Sequence, residues 1–294
     1  MHKTKILITG SLGFVYSNFV RKLLFNSKDY EIISVDKATE KKFLVNNYIN
    51  KYVKHYFADV KDQFTLDNIF DVHRPEVVIH GAAFSSVDES LHSPNEFVSS
   101  NVLGTQSMIN CSLKYGVQKF ILQSTDEVYG ALGPNDASWT EVSPLSPNNP
   151  YSASKASAEL LVQAAGKTFG LPYLIARSSN MYGPRQTTNK LIPRVIKCIL
   201  DEAPIPMYGD PTRYSRSWLH VNDNYQAITT LIEKGKIGEV YNIDSNQEYN
   251  NLEVVQMICD AAEKGHNLIS SVPDRLGHDT RYSMDCSKIK LLGW

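Results

Sequence analysis

A doubly wound α/β fold, in which helices cover both faces of a mainly parallel sheet, is predicted for this chain of 294 residues. Short apolar runs recur through the first two-thirds of the chain, and helix-length connectors separate them. A glycine-bearing turn follows the first run. Strands with few polar interruptions are typical of parallel sheets that are buried on both faces. With 42% hydrophobic and 21% charged residues, the chain can bury one large core, alone or with a smaller lobe beside it.

The predicted elements follow a strand and helix rhythm. The first strand covers residues 5–9, and a helical pattern follows its glycine turn at 19–25. Five further strands are predicted at 31–35, 55–58, 77–80, 120–123 and 173–176. Long helices are predicted over 93–115 and 150–169, with Gly116 and Gly170 in the position of a C-terminal cap.

The texture of the sequence changes after about Asn180, where loops punctuated by glycine and proline begin. Short strands are predicted there at 218–221 and 240–243, and helices near 192–200 and 252–262. We therefore expect a Rossmann-type doubly wound domain over residues 1–180, which carries the catalytic residues. Residues 181–294 are expected to form mainly a smaller C-terminal substrate-binding lobe, with a chain that can cross back between the two.

Composition and charge exclude several classes of function. Thirty basic and thirty-one acidic residues leave a formal net charge of -1, which creates no strong field for nucleic acid or an anionic membrane. The apolar runs are shorter than the roughly 18 residues that a membrane helix needs. The four cysteines form no CxxC pair and have no metal-ligand spacing, so no metal site is predicted. We expect a cytoplasmic protein without nucleic-acid or membrane partners.

A dinucleotide site is predicted directly after the first strand. Gly10, Gly13 and Phe14 form a turn where glycines let the backbone approach a pyrophosphate, and the following helix offers free N–H groups to the phosphates. Asp36 ends the second strand about twenty residues later, where a carboxylate can accept hydrogen bonds from the adenosine ribose. The cofactor is therefore predicted to be NAD rather than NADP.

Further positions at strand ends complete the predicted cofactor cleft. Asp59 and Val60 follow the third strand, and Ala82 and Ala83 follow the fourth. Doubly wound folds bind their ligands at these carboxyl ends.

The chemistry is predicted at the end of the fifth strand, where Thr125 precedes the adjacent acids Asp126 and Glu127. Two neighbouring carboxyls can separate in pKa, giving a neutral acid beside an ionised base. Tyr151 and Lys155 lie four residues apart on one face of a predicted helix. A lysine ammonium favours the phenolate, so Tyr151 is a candidate base for a sugar hydroxyl.

The glycine turn at Gly10 and Gly13, the Thr125-Asp126-Glu127 segment and the Tyr151–Lys155 pair together resemble the family of dTDP-glucose 4,6-dehydratases and their UDP-sugar relatives. The resemblance covers nearly the whole chain, and Thr125-Asp126-Glu127 is its most specific part. It implies an NAD-dependent hydro-lyase of deoxysugar biosynthesis, such as that of rhamnose, which converts a dTDP- or UDP-hexose to the 4-keto-6-deoxy sugar. Tyr151 is implied as the base for oxidation at C4, Glu127 as the base at C5 and Asp126 as the acid at C6.

The same resemblance implies substrate contacts, mostly in the smaller lobe, and Lys37 as a remnant of the family's cofactor-covering segment. The implied substrate contacts, besides Thr125, are Ser86, Asn180, Lys190, Leu191, Arg216, Arg275 and His278. The long helices around 93–115 and 150–169 are predicted to form a homodimer interface.

Two alternatives remain open at the level of sequence. A UDP-sugar decarboxylase or 4-epimerase would use the same cofactor end. A catalytically weakened protein that binds NAD or nucleotide sugars is suggested by Tyr16, which stands in the third position of the phosphate loop, where a small residue normally allows close helix packing. Its phenol either points away from the loop or weakens the cofactor site.

Overall fold

The structure, a computed structural model, describes residues 3–26, 29–37, 53–274 and 276–294. Strands and helices alternate through its first half. The elements in order are β1 (Thr4–Thr9), α1 (Phe14–Asn26), β2 (Tyr30–Asp36), β3 (Lys54–Phe57), α2 (Gln63–His73), β4 (Val77–His80), α3 (Val87–His92), α4 (Pro94–Phe97), α5 (Gly104–Lys114) and β5 (Lys119–Thr125).

The second half begins with a 3-10 turn, Asp126–Tyr129, that follows β5 directly. The elements that follow are α6 (Pro150–Phe169), β6 (Tyr173–Ser178), β7 (Asn180–Tyr182), α7 (Leu191–Leu200), β8 (Ile205–Tyr208), β9 (Ser215–His220), α8 (Val221–Lys234), β10 (Glu239–Ile243), β11 (Glu248–Asn250), α9 (Asn251–Ala261), β12 (Ile269–Val272) and α10 (Ser287–Lys290). None of the described helices has both the length and the apolar character that crossing a bilayer requires.

Seven described strands form one parallel sheet in the order β10-β6-β5-β4-β1-β2-β3. The chain runs outward from β1 to β3 and then returns to the other side of β1 with β4. The strand order therefore reverses between β1 and β4, and this switch point is where open α/β sheets bind their ligands. The predicted doubly wound fold is confirmed.

Both faces of the sheet are buried, which explains the apolar character of its strands. Ile6 and Ile8 of β1 face a core that is closed by α1 and α8, whereas Leu7 faces a second core that is closed by α2, α5 and α6. Because helices cover both faces of the sheet, a polar side chain on either face would be buried away from solvent.

Helix α6 begins and ends at the residues that the sequence predicts. The side chain of Asn149 accepts a hydrogen bond from the backbone of Ser152, the side chain of Ser152 bonds back to Asn149, and Pro150 opens the helix. Gly170 ends it with a φ of 73°, a left-handed conformation that glycine adopts without a steric cost. The ends of α6 fix the positions of the functional residues in its first two turns.

The helix predicted over 93–115 runs from Pro94 to Lys114, but its middle is a π-helical turn, Val98–Leu103. The buried Asn101 side chain in this turn bonds both backbone groups of Phe84 and the hydroxyl of Ser154. These contacts tie the turn to α6 and to the loop after β4, which periodicity alone could not predict.

The strand predicted at 240–243 does not belong to the smaller lobe, where its position after Asn180 predicts it. It is β10, which pairs with β6 at the edge of the large sheet. Helix α8 also packs on the large sheet, so the chain crosses back from the smaller lobe. The smaller lobe has its own core between α7, β8 and α9, built from Val195, Ile199, Ile205, Met207, Val255 and Cys259.

Candidate active site

A cleft of about 470 Å³ lies at the carboxyl ends of the parallel strands, between the large sheet and the smaller lobe. Every predicted site residue that the structure describes lines it, whereas Arg275 lies outside the described residues. The predicted residues in the wall are Gly10, Gly13, Phe14, Asp36, Lys37, Asp59, Val60, Ala82, Ala83, Ser86, Thr125, Asp126, Glu127, Tyr151, Lys155, Asn180, Lys190, Leu191, Arg216 and His278.

The phosphate loop between β1 and α1 has the shape of a dinucleotide cradle. Gly10 has a φ of 71°, and a Cβ added there would lie 2.8 Å from the backbone of Ala82. A Cβ at Gly13 would lie 3.1 Å from the carbonyl oxygen of Gly10. The loop is thus drawn tightly over the end of β4 and leads into the first turn of α1, where N–H groups can meet a pyrophosphate.

The acidic end of the cradle is formed by the buried Asp36, whose Oδ2 accepts a hydrogen bond from the backbone N–H of Leu12 at 3.0 Å. The neighbouring Lys37 is exposed and lies 3.7 Å from Asp59. The donor and acceptor set at this end fits an adenosine ribose, because a carboxylate can accept its hydroxyl protons and repels a 2′-phosphate.

Tyr16 is buried at the floor of the cleft. Its ring lies against Gly81, and its hydroxyl donates to Oε1 of Gln123 at 3.0 Å. Burial raises the pKa of this phenol, so it remains neutral. The ring therefore points away from the phosphate loop, across the strand ends and into the core.

Thr125 begins the 3-10 turn that carries the two acids. Its hydroxyl accepts from the backbone N–H of Glu127 at 3.4 Å and donates to Oδ1 of Asp126 at 3.0 Å. Asp126 is buried, and its Oδ2 has no hydrogen-bond partner among the described residues. A protonated carboxyl with an unused O–H suits this environment, because burying an unpaired charge is costly.

The surroundings of Asp126 and Glu127 shift their pKa values to different extents, and acid–base chemistry needs one acid that keeps its proton beside one that loses it. Burial, followed by the charges of Glu127 and Asp244, raises the pKa of Asp126 well above its usual range. Burial also raises the pKa of Glu127, but Lys190, Arg216 and a hydrogen bond from Asn149 oppose the shift. Asp126 therefore holds its proton, and Glu127 is the partner that cations favour in the ionised form.

Tyr151 and Lys155 lie in the first two turns of α6, both buried at the cleft wall. The Nζ of Lys155 donates to the backbone carbonyl of Gln123 at 2.7 Å, and burial lowers the pKa of Lys155 to about 8. The pKa of Tyr151 is raised by burial and by the charge of Glu127, with a hydrogen bond to Thr125 opposing. The expected lowering of the Tyr151 pKa is not found, because burial of the phenol and the negative charges of Glu127 and Asp126 raise it.

Arg216, a predicted substrate contact, lines the cleft and is bonded to the protein itself. It is buried beside Tyr282, with its guanidinium carbon 4.3 Å from the ring centroid. Its Nη1 and Nη2 donate to the backbone carbonyls of Ser215, Asp279 and Thr280 at 2.6–3.0 Å. In this structure these donors hold the chain around 279–280, and the guanidinium contributes mainly its positive charge to the site.

The other predicted substrate residues frame the smaller-lobe side of the cleft. Lys190 donates to the carbonyl of Ser85 at 2.9 Å. The imidazole of His278 stacks on Tyr214 with 3.5 Å between centroids, and its Nδ1 lies 2.8 Å from Asp274. Ser86 caps α3 through the N–H of Glu89 at 3.3 Å.

Sequence reasoning missed Trp218 and Gln123 as members of the site. Trp218 on β9 stands beside Asn180 on β7 in the strand register, and both line the cleft. Within the described chain, Nε1 of Trp218 and Oδ1 of Asn180 are buried without a hydrogen-bond partner. One donor and one acceptor therefore stand side by side, a relation that depends on strand pairing and leaves no signal in either local segment.

The geometry agrees with the similarity to known proteins. The family described as GDP-mannose 4,6 dehydratase matches residues 7–294. The low-salt glycan biosynthesis protein Agl12 of Haloferax volcanii is 42% identical over 98% of this chain and 92% of its own. The dTDP-glucose 4,6-dehydratase of Neisseria meningitidis serogroup B is 40% identical over 99% of this chain and 88% of its own.

A solved structure gives the same result. The chain is similar to DesIV, a dTDP-glucose 4,6-dehydratase from Streptomyces venezuelae that was crystallised with NAD and dTDP bound. The TM-score is 0.91 and the identity 36%, over 98% of this chain and 90% of the other.

Proposed function

We propose the function of this chain from one premise, which is that it belongs to the family described as GDP-mannose 4,6 dehydratase. It is an NAD-dependent lyase that removes water from a nucleoside-diphosphate hexose of the dTDP-glucose or UDP-glucose type and forms the 4-keto-6-deoxy sugar. Such a product belongs to deoxysugar biosynthesis. The observation that carries the proposal is the adjacent pair Asp126 and Glu127, with different proton affinities, in the same cleft as Tyr151.

NAD is the cofactor, and the residues present fit it. Gly10 and Gly13 leave the backbone open for the pyrophosphate, and Asp36 is the ribose acceptor. The remaining walls of the proposed NAD site are formed by Phe14, Lys37, Asp59, Val60, Ala82 and Ala83. When bound, NAD would supply the hydride acceptor for C4 of the hexose and the hydride donor for C6, without net consumption of the cofactor.

Oxidation at C4 needs a group that takes the proton of the 4-hydroxyl, and we assign this role to Tyr151. The hydrogen bond to Thr125 orients the phenol and opposes the rise of its pKa. Lys155 supplies a positive charge beneath the site and is fixed by the Gln123 carbonyl. Ionisation of Tyr151 becomes more favourable as positive charge accumulates around it.

Elimination needs a base at C5 and an acid at C6. Glu127 is the base, because Lys190, Arg216 and Asn149 favour its ionised form. Asp126 is the acid, because burial keeps its proton and Thr125 holds one of its oxygens. It protonates the departing 6-hydroxyl, which leaves as water.

The substrate is held between the strand ends and the smaller lobe. We assign the diphosphate and sugar to Asn180, Trp218 and Lys190, since the first two offer an unused acceptor and an unused donor. Leu191 and His278 line the side of the smaller lobe, and Ser86 lines the opposite wall. Arg216 acts through its charge. Arg275, which lies outside the described residues, remains a proposed contact by resemblance alone.

Residues 1–180 are proposed as the NAD-binding domain and 181–294 as mainly the substrate lobe, from which α8 and β10 cross back to the large sheet. A homodimer is proposed through the helices around 93–115 and 150–169. Helices α5 and α6 pack side by side, and Val98 and Leu103 of the π-helical turn before α5 and Leu160 of α6 are more than half exposed. The four cysteines are free thiols, which supports a cytoplasmic location.

The test is incubation of the purified protein with dTDP-glucose, UDP-glucose and UDP-N-acetylglucosamine in separate reactions, followed by mass spectrometry. We expect loss of one water from one of them, with formation of a 4-keto sugar. Formation of an isomer of unchanged mass, separated by chromatography, would indicate the epimerase alternative. A decarboxylase would leave all three substrates unchanged, because none of them carries a carboxyl group. Absence of any conversion by protein with NAD bound would overturn the proposal.

A further inference from the structure

Tyr16 occupies the third position of the phosphate loop, three residues after Gly13, in the first turn of α1. Glycine at this position normally allows close packing between the helix and the sheet. In this chain the position holds a phenol that is 2% exposed and lines the cleft. The space for its ring must therefore come from another part of the fold.

That space comes from Gly81, the first residue after β4. A Cβ built on Gly81 would lie 3.0 Å from Cζ of Tyr16 and would overlap two further atoms of its ring. No backbone atom is among its three nearest neighbours, and φ at Gly81 is not in the left-handed region. The requirement for glycine at this position is therefore set by the Tyr16 ring rather than by backbone conformation.

The hydroxyl of Tyr16 extends to β5. It donates to Oε1 of Gln123, while Nε2 of Gln123 donates to the hydroxyl of Ser178 at 2.9 Å. The backbone carbonyl of the same Gln123 accepts from Nζ of Lys155 at 2.7 Å. One glutamine therefore connects the phosphate loop, the end of β6 and the lysine of the active site.

We propose that Tyr16 and Gly81 are a complementary pair that builds the floor of the dinucleotide site, and that Tyr16 is a positioning residue that holds Gln123 and, through it, Lys155. The inference rests on the proposed NAD site. It assigns to Tyr16 a part in the function, in place of the damage that a bulky residue in a phosphate loop suggests. It also explains why a small residue stands at position 81.

The first test is a double-mutant cycle read out as NAD affinity of the apo protein by isothermal titration calorimetry, without any sugar nucleotide. Gly81→Ala forces the Tyr16 ring toward the cleft, so we expect NAD to bind about tenfold or more weakly. In the Tyr16→Ala background the methyl group has room. Gly81→Ala should then change the NAD affinity by less than about threefold.

The outcomes of this cycle separate the pair from simpler explanations. Equal losses of affinity from Gly81→Ala in both backgrounds would show that the two positions are independent and would overturn the pairing. Wild-type NAD affinity for the single Gly81→Ala variant would overturn it as well. Since no sugar is present, these results do not depend on whether the enzyme dehydrates the proposed substrates.

The second test concerns the hydroxyl, and uses Tyr16→Phe with Tyr241→Phe as the matched control. Tyr241 is equally buried in the same core, and its hydroxyl accepts from the backbone of Lys236, away from the cleft. Loss of a buried hydroxyl partner should lower the melting temperature of both variants. Only Tyr16→Phe should change the pH dependence of kcat.

The direction follows from the groups that face Lys155. These are Glu159 and Tyr151 on its own helix, His80 at the end of β4 and the Gln123 carbonyl. Without the Tyr16 hydroxyl, the Gln123 carbonyl is held less firmly and stabilises the Lys155 ammonium less, which lowers the pKa of Lys155. The alkaline limb of kcat should therefore move to lower pH in Tyr16→Phe. The NAD affinity of this variant should stay within about threefold of the wild type. An unmoved limb, or an equal movement in Tyr241→Phe, would overturn the positioning role.

Discussion

Arg177 on β6 and Glu159 on α6 form an ion pair inside the protein, with Nη2 2.6 Å from Oε2 and side chains that are 3% and 0% exposed. Glu159 also accepts from the hydroxyl of Ser124 at 2.5 Å, and Arg177 donates to the hydroxyl of Tyr129 at 2.6 Å. Ser124 and Tyr129 stand just before and at the end of the segment that carries the two acids. The ion pair therefore holds both sides of the catalytic turn from behind.

Removing one partner of this pair should be costly, since it leaves a buried charge without compensation. We expect Arg177→Gln to lower the free energy of unfolding by about 3–5 kcal/mol, measured by urea denaturation. The control is Asp67→Asn, which breaks the exposed pair with Lys114 and should cost at most about 1 kcal/mol. A similar small loss for both variants would contradict the structural role of the buried pair.

Local sequence predicted much of this architecture because the main signals are local. The first strand, the phosphate loop and the whole span of α6 follow from apolar runs, glycines and a capping sequence within a few residues of one another. The residues that line the cleft were also predictable as a group, because parallel strands bring their carboxyl ends to one edge.

The remaining features depend on partners that are distant in the chain. The orientation of Tyr16 depends on Gly81, directly after β4, and on Gln123 of β5, both distant in the chain. The backbone carbonyls around residue 280 that engage Arg216 belong to a segment with no regular pattern. The pairing of β10 with β6 is likewise a contact between distant segments, and the short apolar run of β10 does not specify its partner strand.

Glu127→Gln should separate oxidation from elimination. The amide cannot take the C5 proton, so kcat should fall by about 10²–10⁴-fold. Oxidation at C4 is expected to continue, and reduced nicotinamide should accumulate when substrate is added. Stopped-flow absorbance measures both steps, and dehydration at the wild-type rate by a folded, NAD-loaded variant would contradict the assignment of the base.

Asp126→Asn should lower activity while it stabilises the protein. The pKa of Asp126 is raised above its unfolded value, so the folded state binds more protons than the unfolded state between these two pKa values, and stability falls as pH rises through that window. The neutral amide removes this penalty. We expect the variant to be more stable than the wild type by about 1–2 kcal/mol at pH 7, with the difference shrinking toward pH 4.

The control for this pH dependence is Asp71→Asn, since the Asp71 side chain is 60% exposed on α2. Its effect on the free energy of unfolding should stay within about 0.5 kcal/mol. Urea denaturation of all three proteins at several pH values makes the comparison. A constant difference between Asp126→Asn and the wild type from pH 4 to pH 7 would show that Asp126 ionises normally in the folded protein.

The proposed dimer predicts that a charge on the shared helical face separates the subunits. Leu103 and Leu160 are each 57% exposed, on the neighbouring helical segments that the interface would use. A glutamate at the centre of an apolar interface must be desolvated without a partner, so Leu160→Glu should give a monomer mass in light scattering. The control is Val142→Glu, because Val142 is 92% exposed in a loop away from these helices and should leave the dimer intact. A monomer mass for the wild-type protein, or a dimer that survives Leu103→Glu combined with Leu160→Glu, would place the interface elsewhere or exclude it.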